Sequence, residues 1–140
     1  MLQLCRIRDE RLVSDVQGMV WNFPAAAAGT LTLEIRVEGS GAAIRLCDHW
    51  MNPSDPDVFR YALYDFTLDG RVLSPGVWHT VTVTFAADGT GLVRADGRTL
   101  FAIRRNGPAP QGISYLHMQT TAEATDPRGT LIRRMAFHAE

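Results

Sequence analysis

The stretch CDHWMNPSDPD, residues 47 to 57, packs three aspartates, a histidine, a tryptophan, an asparagine and two prolines into eleven positions. Two chemistries suit that mixture. Asp48, Asn52, Asp55 and Asp57, with Asp126 further along the chain, supply the hard oxygens that calcium prefers. Against an ion stands the turn reading, which leads: Asn and Asp side chains accept bonds from nearby backbone N–H groups and so build turns. The second chemistry is sugar recognition, which needs an aromatic face for ring C–H groups and fixed polar groups for hydroxyls. Trp50, with His49, Asp48 and Asn52, offers such a rim. An equal alternative makes Trp50 a plug at the end of a sandwich, its N–H bonded to backbone.

A second candidate face lies in ISYLHMQTT, residues 113 to 121. If Leu116 and Met118 point inward, Tyr115, His117 and Gln119 share the opposite face of the strand. Tyr115 would then stack on a sugar ring, and His117 and Gln119 would offer directional donors and acceptors. The plainer alternative is a tyrosine at the core edge beside two wet polar residues. Arg45, Arg60 and Arg133 are candidates to grip a carboxylate by paired N–H donors, which would suit an acidic sugar. Solvation or a neighbouring glutamate is the commoner fate of such arginines.

Hydrolytic chemistry finds less support. Glu34 and Glu38 share a strand face, but four residues at ~3.3 Å each part them by about 13 Å. Either glycosidase geometry needs roughly 5 to 9.5 Å. Asp55 and Asp57 are closer but sit among Pro53 and Pro56, with no scaffold to hold an acid and a base. No Gly-x-Ser-x-Gly elbow is present, and His49, His79, His117 and His138 lack paired zinc-ligand spacing. No cofactor is required, calcium being the one left open. A sugar-active enzyme is the weakest reading, open only to a site assembled from distant loops.

The elements that must position these residues repeat every two positions. In GTLTLEIRVEG, Leu31, Leu33, Ile35 and Val37 alternate with Thr30, Thr32, Glu34, Arg36 and Glu38, the pattern of a strand with one buried and one wet face. AAIRLC follows Gly39-Ser40-Gly41 and reads as its hairpin partner, Ile44 and Leu46 on one side, Arg45 and Cys47 on the other. VFRYALYDFTL, HTVTVTF, GLVRA, RTLFAI, ISYLHMQTT and TLIRRMAFHA read as strands, as do the less regular LQLCRIRD and RLVSDVQGMVWNF. Asp96-Gly97 is the firmest two-residue hairpin signal, since both central positions of a type I′ turn need positive φ. Trp21 and Trp78, inside strand signals, are assigned to the core; Ala25 to Ala28 is too short for a helix and reads as loop. About ten strands with no helix between them predict an antiparallel sandwich.

Composition bounds the partners. At 140 residues the chain fits one domain, 1–140, able to bury roughly 68% of its unfolded surface. A net charge of −1, with 14 basic and 15 acidic side chains interspersed, leaves no field to draw in nucleic acid or a membrane surface. No apolar run approaches the ~20 residues of a membrane span. If these residues are the whole protein, a cytoplasmic location is expected; if they are part of a longer secreted or surface protein, the address lay upstream. Cys5 and Cys47 are too few for a disulfide framework and read as small apolar fillers, bridged only if their strands are neighbours.

PGVWHTVTVTF followed by LVRADGRTLF resembles the central signature of laminin G-like and concanavalin A-like jelly rolls, in which a Trp-His pair opens a strand and an Asp-Gly turn presents the next. Here these are Trp78, His79, Val81, Val83, Asp96 and Gly97. DVQGMVWNFP, GTLTLEIRVEG, the Asn52-Pro53 turn, GISYLHMQTTAE and DPRGTLIRR together resemble jelly-roll domains appended to bacterial sialidase-like β-propeller proteins. That resemblance spans nearly the whole chain and implies an accessory domain. The family's Ser-x-Asp-x-Gly-x-Thr-Trp boxes are missing, so sialidase catalysis is not carried over. The expectation is an all-β, antiparallel jelly-roll sandwich acting as a non-catalytic carbohydrate-binding module of a larger glycosidase-like protein. The alternative is a structural domain that packs on a catalytic partner or, through its exposed edge strands, on another copy of itself.

Overall fold

The computed structural model describes residues 1–7 and 16–140. Their ten strands are β1 (Leu2–Arg6), β2 (Gly18–Ala26), β3 (Gly29–Val37), β4 (Ala42–Cys47), β5 (Tyr64–Leu68), β6 (His79–Phe85), β7 (Thr90–Ala95), β8 (Arg98–Arg104), β9 (Ile113–Thr120) and β10 (Asp126–Ala139). One short 3₁₀ turn, Val58–Tyr61, precedes β5. The strands form two antiparallel sheets, a six-stranded one in the order β1-β10-β3-β6-β7-β8 and a four-stranded one in the order β2-β9-β4-β5. The predicted strand at residues 11–23 begins at Gly18, its earlier part reaching outside the described residues.

Alternation builds the inner faces. Leu31, Leu33, Ile35 and Val37 of β3 and Val81, Val83 and Phe85 of β6 are buried, while the threonines and glutamate between them face outward. Across the layers, Phe23 stacks on Phe137 with ring centroids 4.1 Å apart, Phe85 lies 6.0 Å from Tyr64, and Phe66 meets Phe101 edge-on at 5.6 Å. Each such aromatic pair adds about 0.5–1.5 kcal/mol beyond the area it buries. Asp96 (φ 53) and Gly97 (φ 80) make the expected turn between β7 and β8.

Three expectations are corrected. β3 and β4 do not pair: the Gly39-Ser40-Gly41 connection carries the chain from one sheet to the other. Residues 58–61 form the 3₁₀ turn rather than strand, because only Val58 of the four finds apolar contact. Trp78 is not core. It lies beside the outer face of the six-stranded sheet, its ring covered by the guanidinium of Arg133 at 3.9 Å and faced by that of Arg36 at 5.3 Å. Trp21 is half-buried and packs on the core beside Phe23. Cys5 and Cys47 sit in different sheets and are free thiols.

His79 locks the inner edge of the β7–β8 turn. Its Nδ1–H donates to Asp96 Oδ2 at 2.7 Å and its Nε2–H to the Ser74 carbonyl at 2.9 Å. Both partners only accept, so the ring carries both protons and is an imidazolium. Burial opposes that charge, but the bonds to Asp96 and Ser74 outweigh it and hold the His79 pKa above its ordinary value. Asp96→Ala is expected to cost about 1–2 kcal/mol in urea unfolding. A raised folded-state pKa means that this contribution is complete below the ordinary histidine range and fades as pH climbs through the elevated value. The Asp96→Ala penalty should shrink accordingly between neutral and alkaline pH.

Candidate functional site

Residues 48–62 cross the outer face of the four-stranded sheet and decide what that face can do. Local chemistry shapes the loop: Asn52 Oδ1 accepts from Ser54 N–H at 3.0 Å and Asp55 Oδ1 from Asp57 N–H at 2.9 Å, two side-chain turns of the kind expected. Its apolar residues point down. Met51, Val58 and Ala62 pack with Cys47 and half-buried Tyr115 into a small second core. Gly18 on β2 makes the approach feasible, since a Cβ there would stand 2.5 Å from the Pro53 carbonyl oxygen.

Polar groups fasten the loop from below. In the sheet, Asp65 of β5, Arg45 of β4, His117 of β9 and Val20 of β2 lie side by side across the strands. Gln119 Oε1 accepts from Arg45 Nη1 at 2.6 Å, and its Nε2 donates to the carbonyls of Pro53 at 2.9 Å and Asp55 at 2.7 Å. Arg45 Nε also donates to Asp65 Oδ1 at 3.2 Å. His117 is fully buried, with Nε2 3.5 Å from the Asn52 carbonyl and Nδ1 without a partner. Burial, helped by the charge of Arg45, lowers its pKa to about 4, so the ring is neutral. Burial also pushes the Cys47 thiol up to about 11, while Sγ donates to the His49 carbonyl.

The predicted ligand face is thereby closed. Tyr115, His117 and Gln119 do point away from the main core, but the loop lies on them: His117 and Gln119 are sealed, Arg45 is 7% exposed, and every polar atom of the Gln119 side chain is bonded within the protein. Arg133 belongs elsewhere, on the six-stranded sheet, engaged with Glu34 and with the Trp78 ring. Arg134 also binds Glu34, at 2.9 Å, and Arg36 pairs with Glu38; the two glutamates read as solvated strand positions are held in ion pairs. Only the rim stands clear. Trp50 is 60% exposed, beside His49, whose Nδ1–H donates to Asp48 Oδ1 at 2.8 Å. Phe59 (44% exposed) and Tyr61 (62%), which the residue pattern had placed in a strand, join Trp50 on the outside of the same loop. Met51, Val58 and Ala62, each next in sequence to one of these three aromatics, supply the buried side of the loop.

The oxygens proposed for calcium are not gathered. Asn52 and Asp55 make turns, Asp57 faces Arg60 at 3.9 Å, and Asp48 holds His49. Asp126, at the start of β10, accepts from the backbone N–H groups of Ser40, Arg128 and Gly129. The bonds from Ser40, then those from Arg128 and Gly129, hold its pKa near 2. Among the described residues no three His, Cys, Asp or Glu side chains converge as metal ligands would.

Neither family models nor curated proteins give a match to this chain. Solved structures do. A sialidase superposes with a TM-score of 0.65 at 12% identity, over 89% of this chain and 14% of the sialidase. The fold is a jelly-roll β-sandwich. A tetrameric galectin from the ball sponge Cinachyrella sp. matches with a TM-score of 0.56 at 10% identity, over 85% of this chain and 97% of the galectin. Sheep galectin-11, in complex with glycerol, matches at 0.51 and 9% identity, over 87% of this chain and 98% of its own. The chain thus spans a small part of the sialidase and almost the full length of each galectin.

Proposed function

We propose that this chain is a non-catalytic carbohydrate-binding module, with the outer surface of loop 48–62 as its ligand face, serving a larger glycosidase-like protein. The observation that carries the reading is the exposure of Trp50, Phe59 and Tyr61 on one loop whose underside is fixed by buried contacts. Exposed aromatics on a mobile loop would lose stacking energy to ordering; here Met51, Val58, Ala62 and the Gln119 bonds have already ordered the backbone. His49, Asp48 and Arg60 supply polar groups for hydroxyls beside those rings. A lectin-like fold shared with two galectins and with a part of a sialidase supports both the ligand class and the accessory role.

The same exposed aromatics would serve a structural domain that docks on a catalytic partner or on a second copy. A glycan array covering neutral and acidic sugars, read with and without calcium, separates the two. Sugar binding that falls at least tenfold in Trp50→Ala or Tyr61→Ala, with unchanged folding, is the expected result. Silence across the array together with a stable dimer in solution would replace the sugar reading with the structural one.

A further inference from the structure

The six-stranded sheet carries a second feature on the opposite side of the molecule. At its β6-β7-β8 end a hollow of about 580 Å³ opens on the outer face. Thr84, Leu92 and Ala102 form its floor, core-packed Ile103 reaches it beside Gly91, and Arg94 and Arg104 stand at its two ends. Register explains the layout. Leu92 and Arg94 alternate with buried Val93 and Ala95, so both point outward, and Leu92 pairs with Thr84 on one side and Ala102 on the other. Arg104 lies opposite Thr90, and four residues separate Thr90 from Arg94, so the two arginines are about 13 Å apart along the strands.

Neither guanidinium forms an ion pair or a hydrogen bond with a described residue. Asp88 feels the charge of Arg104, but its Oδ1 is taken by the Thr90 backbone and hydroxyl. Four other arginines on these two sheets are paired, Arg45 with Asp65, Arg133 and Arg134 with Glu34 and Arg36 with Glu38, whereas the side chains of Arg98 and Arg128, like those of Arg94 and Arg104, are not paired among the described residues. The hollow also adjoins an edge, since β8 pairs only with β7 among the described residues and its outer backbone groups are free to accept another strand.

We infer that this hollow is a docking site for an extended acidic peptide segment of a partner protein, with carboxylates at positions i and i+4 and an apolar side chain at i+2. In an extended chain those three side chains share one face, and i to i+4 spans about 13 Å, matching Arg94 and Arg104 while placing i+2 over Leu92 and Ala102. Each arginine presents a planar fork suited to a carboxylate. The floor is aliphatic, lacking the aromatic platform on which a sugar ring would stack. This site shares no residue with loop 48–62, so the two readings stand or fall separately.

Fluorescence anisotropy with the labelled heptapeptide TETVTET tests it, with TQTVTQT as the uncharged control. Binding should be saturable, weaken at least tenfold in Arg94→Gln and in Arg104→Gln, and weaken again as salt is raised from 50 to 300 mM. The double variant carrying Arg94→Glu and Arg104→Glu should lose TETVTET and bind TKTVTKT, a reversal that misfolding cannot produce. Equal binding of the uncharged control, no saturation at millimolar peptide, or tighter arginine-dependent binding of tetragalacturonate than of TETVTET would each overturn the assignment, the last in favour of an acidic glycan.

Discussion

Gln119→Ala is expected to lower the free energy of unfolding by about 3–4 kcal/mol and to raise proteolytic cleavage within residues 48–62 well above that of the rest of the chain. One buried side chain makes three bonds, and all three fail together. The carbonyls of Pro53 and Asp55 each lose a donor, at roughly 1–3 kcal/mol for a carbonyl left dry. Opening the loop lets water satisfy them, which limits the total and transfers part of the loss to the packing of Met51 and Val58. Arg45 loses its buried acceptor and keeps Asp65 alone, and a buried charge stripped of a partner is costly. Gln119→Leu separates bonding from volume: it fills the space but restores no bond, and it should be nearly as damaging as alanine. Urea unfolding and amide exchange of residues 48–62 provide the check. A loss under 1 kcal/mol with unchanged loop protection would show that apolar contacts alone hold the loop. The Trp50 and Tyr61 surface depends on this anchoring, so sugar binding should weaken in the same variants.

How far the sequence announced this arrangement depends on the range of the contact involved. β3, β6 and the β7–β8 hairpin were legible because their information is local: a period of two, threonines facing out, and a dipeptide that accepts positive φ. The connection at Gly39-Ser40-Gly41 was not. A short glycine-rich turn signals a change of direction, yet it does not say whether the next strand pairs with the previous one or crosses to the facing sheet; here Ser40 N–H is held by Asp126, 86 positions away. β10 hides its register for a related reason. Ile132 and Phe137 both pack on the core although they stand an odd number of positions apart, and a bulge with Arg134 at φ 54 supplies the extra step.

The ligand face shows the same division. Alternation correctly turned Tyr115, His117 and Gln119 away from Leu116 and Met118. Orientation is a property of one strand. Exposure is a property of everything else that lands there, and the loop that lands there is set by Gly18, 35 positions before Pro53, and by Gln119, 66 positions after it. A polar row on a strand is therefore ambiguous in sequence between a binding surface and a fastening surface. Hydrogen-bond completeness separates them in the structure: Gln119 is saturated by the protein, whereas Arg94 and Arg104 are not.

Acid should loosen the molecule through His117, and through loop 48–62 first. The ring is neutral in the fold with a pKa of about 4, against an ordinary value of 6.5 in the unfolded chain. Unfolding therefore takes up a proton at any pH between these values, and stability that is complete above 6.5 drains away as pH falls toward 4. The interval of about 2.5 units corresponds to roughly 3 kcal/mol. Among the described residues no carboxylate offsets the incoming charge, and the Asn52 carbonyl favours it only weakly against burial: Arg45 faces the ring from β4, Val20 from β2, and the carboxylate of Asp65 is turned to Arg45. A protonated ring would also convert unpartnered Nδ1 from an idle acceptor into a buried donor with nothing to receive its proton. Raising the loop admits water to both nitrogens without unfolding the sandwich, so amide exchange in residues 48–62 should accelerate at pH 5 before the global transition shifts. His79 works in the opposite sense, Glu34, held low by Arg133 and Arg134, enters only near its ordinary value of 4.5, and Asp126 only below pH 4, which among the described residues leaves His117 to set the slope between 6.5 and about 4.5. His117→Gln removes the titrating group while keeping a donor for Asn52, and the unfolding free energy of that variant should be nearly flat across this interval; an unaltered slope would move the acid sensitivity to another group.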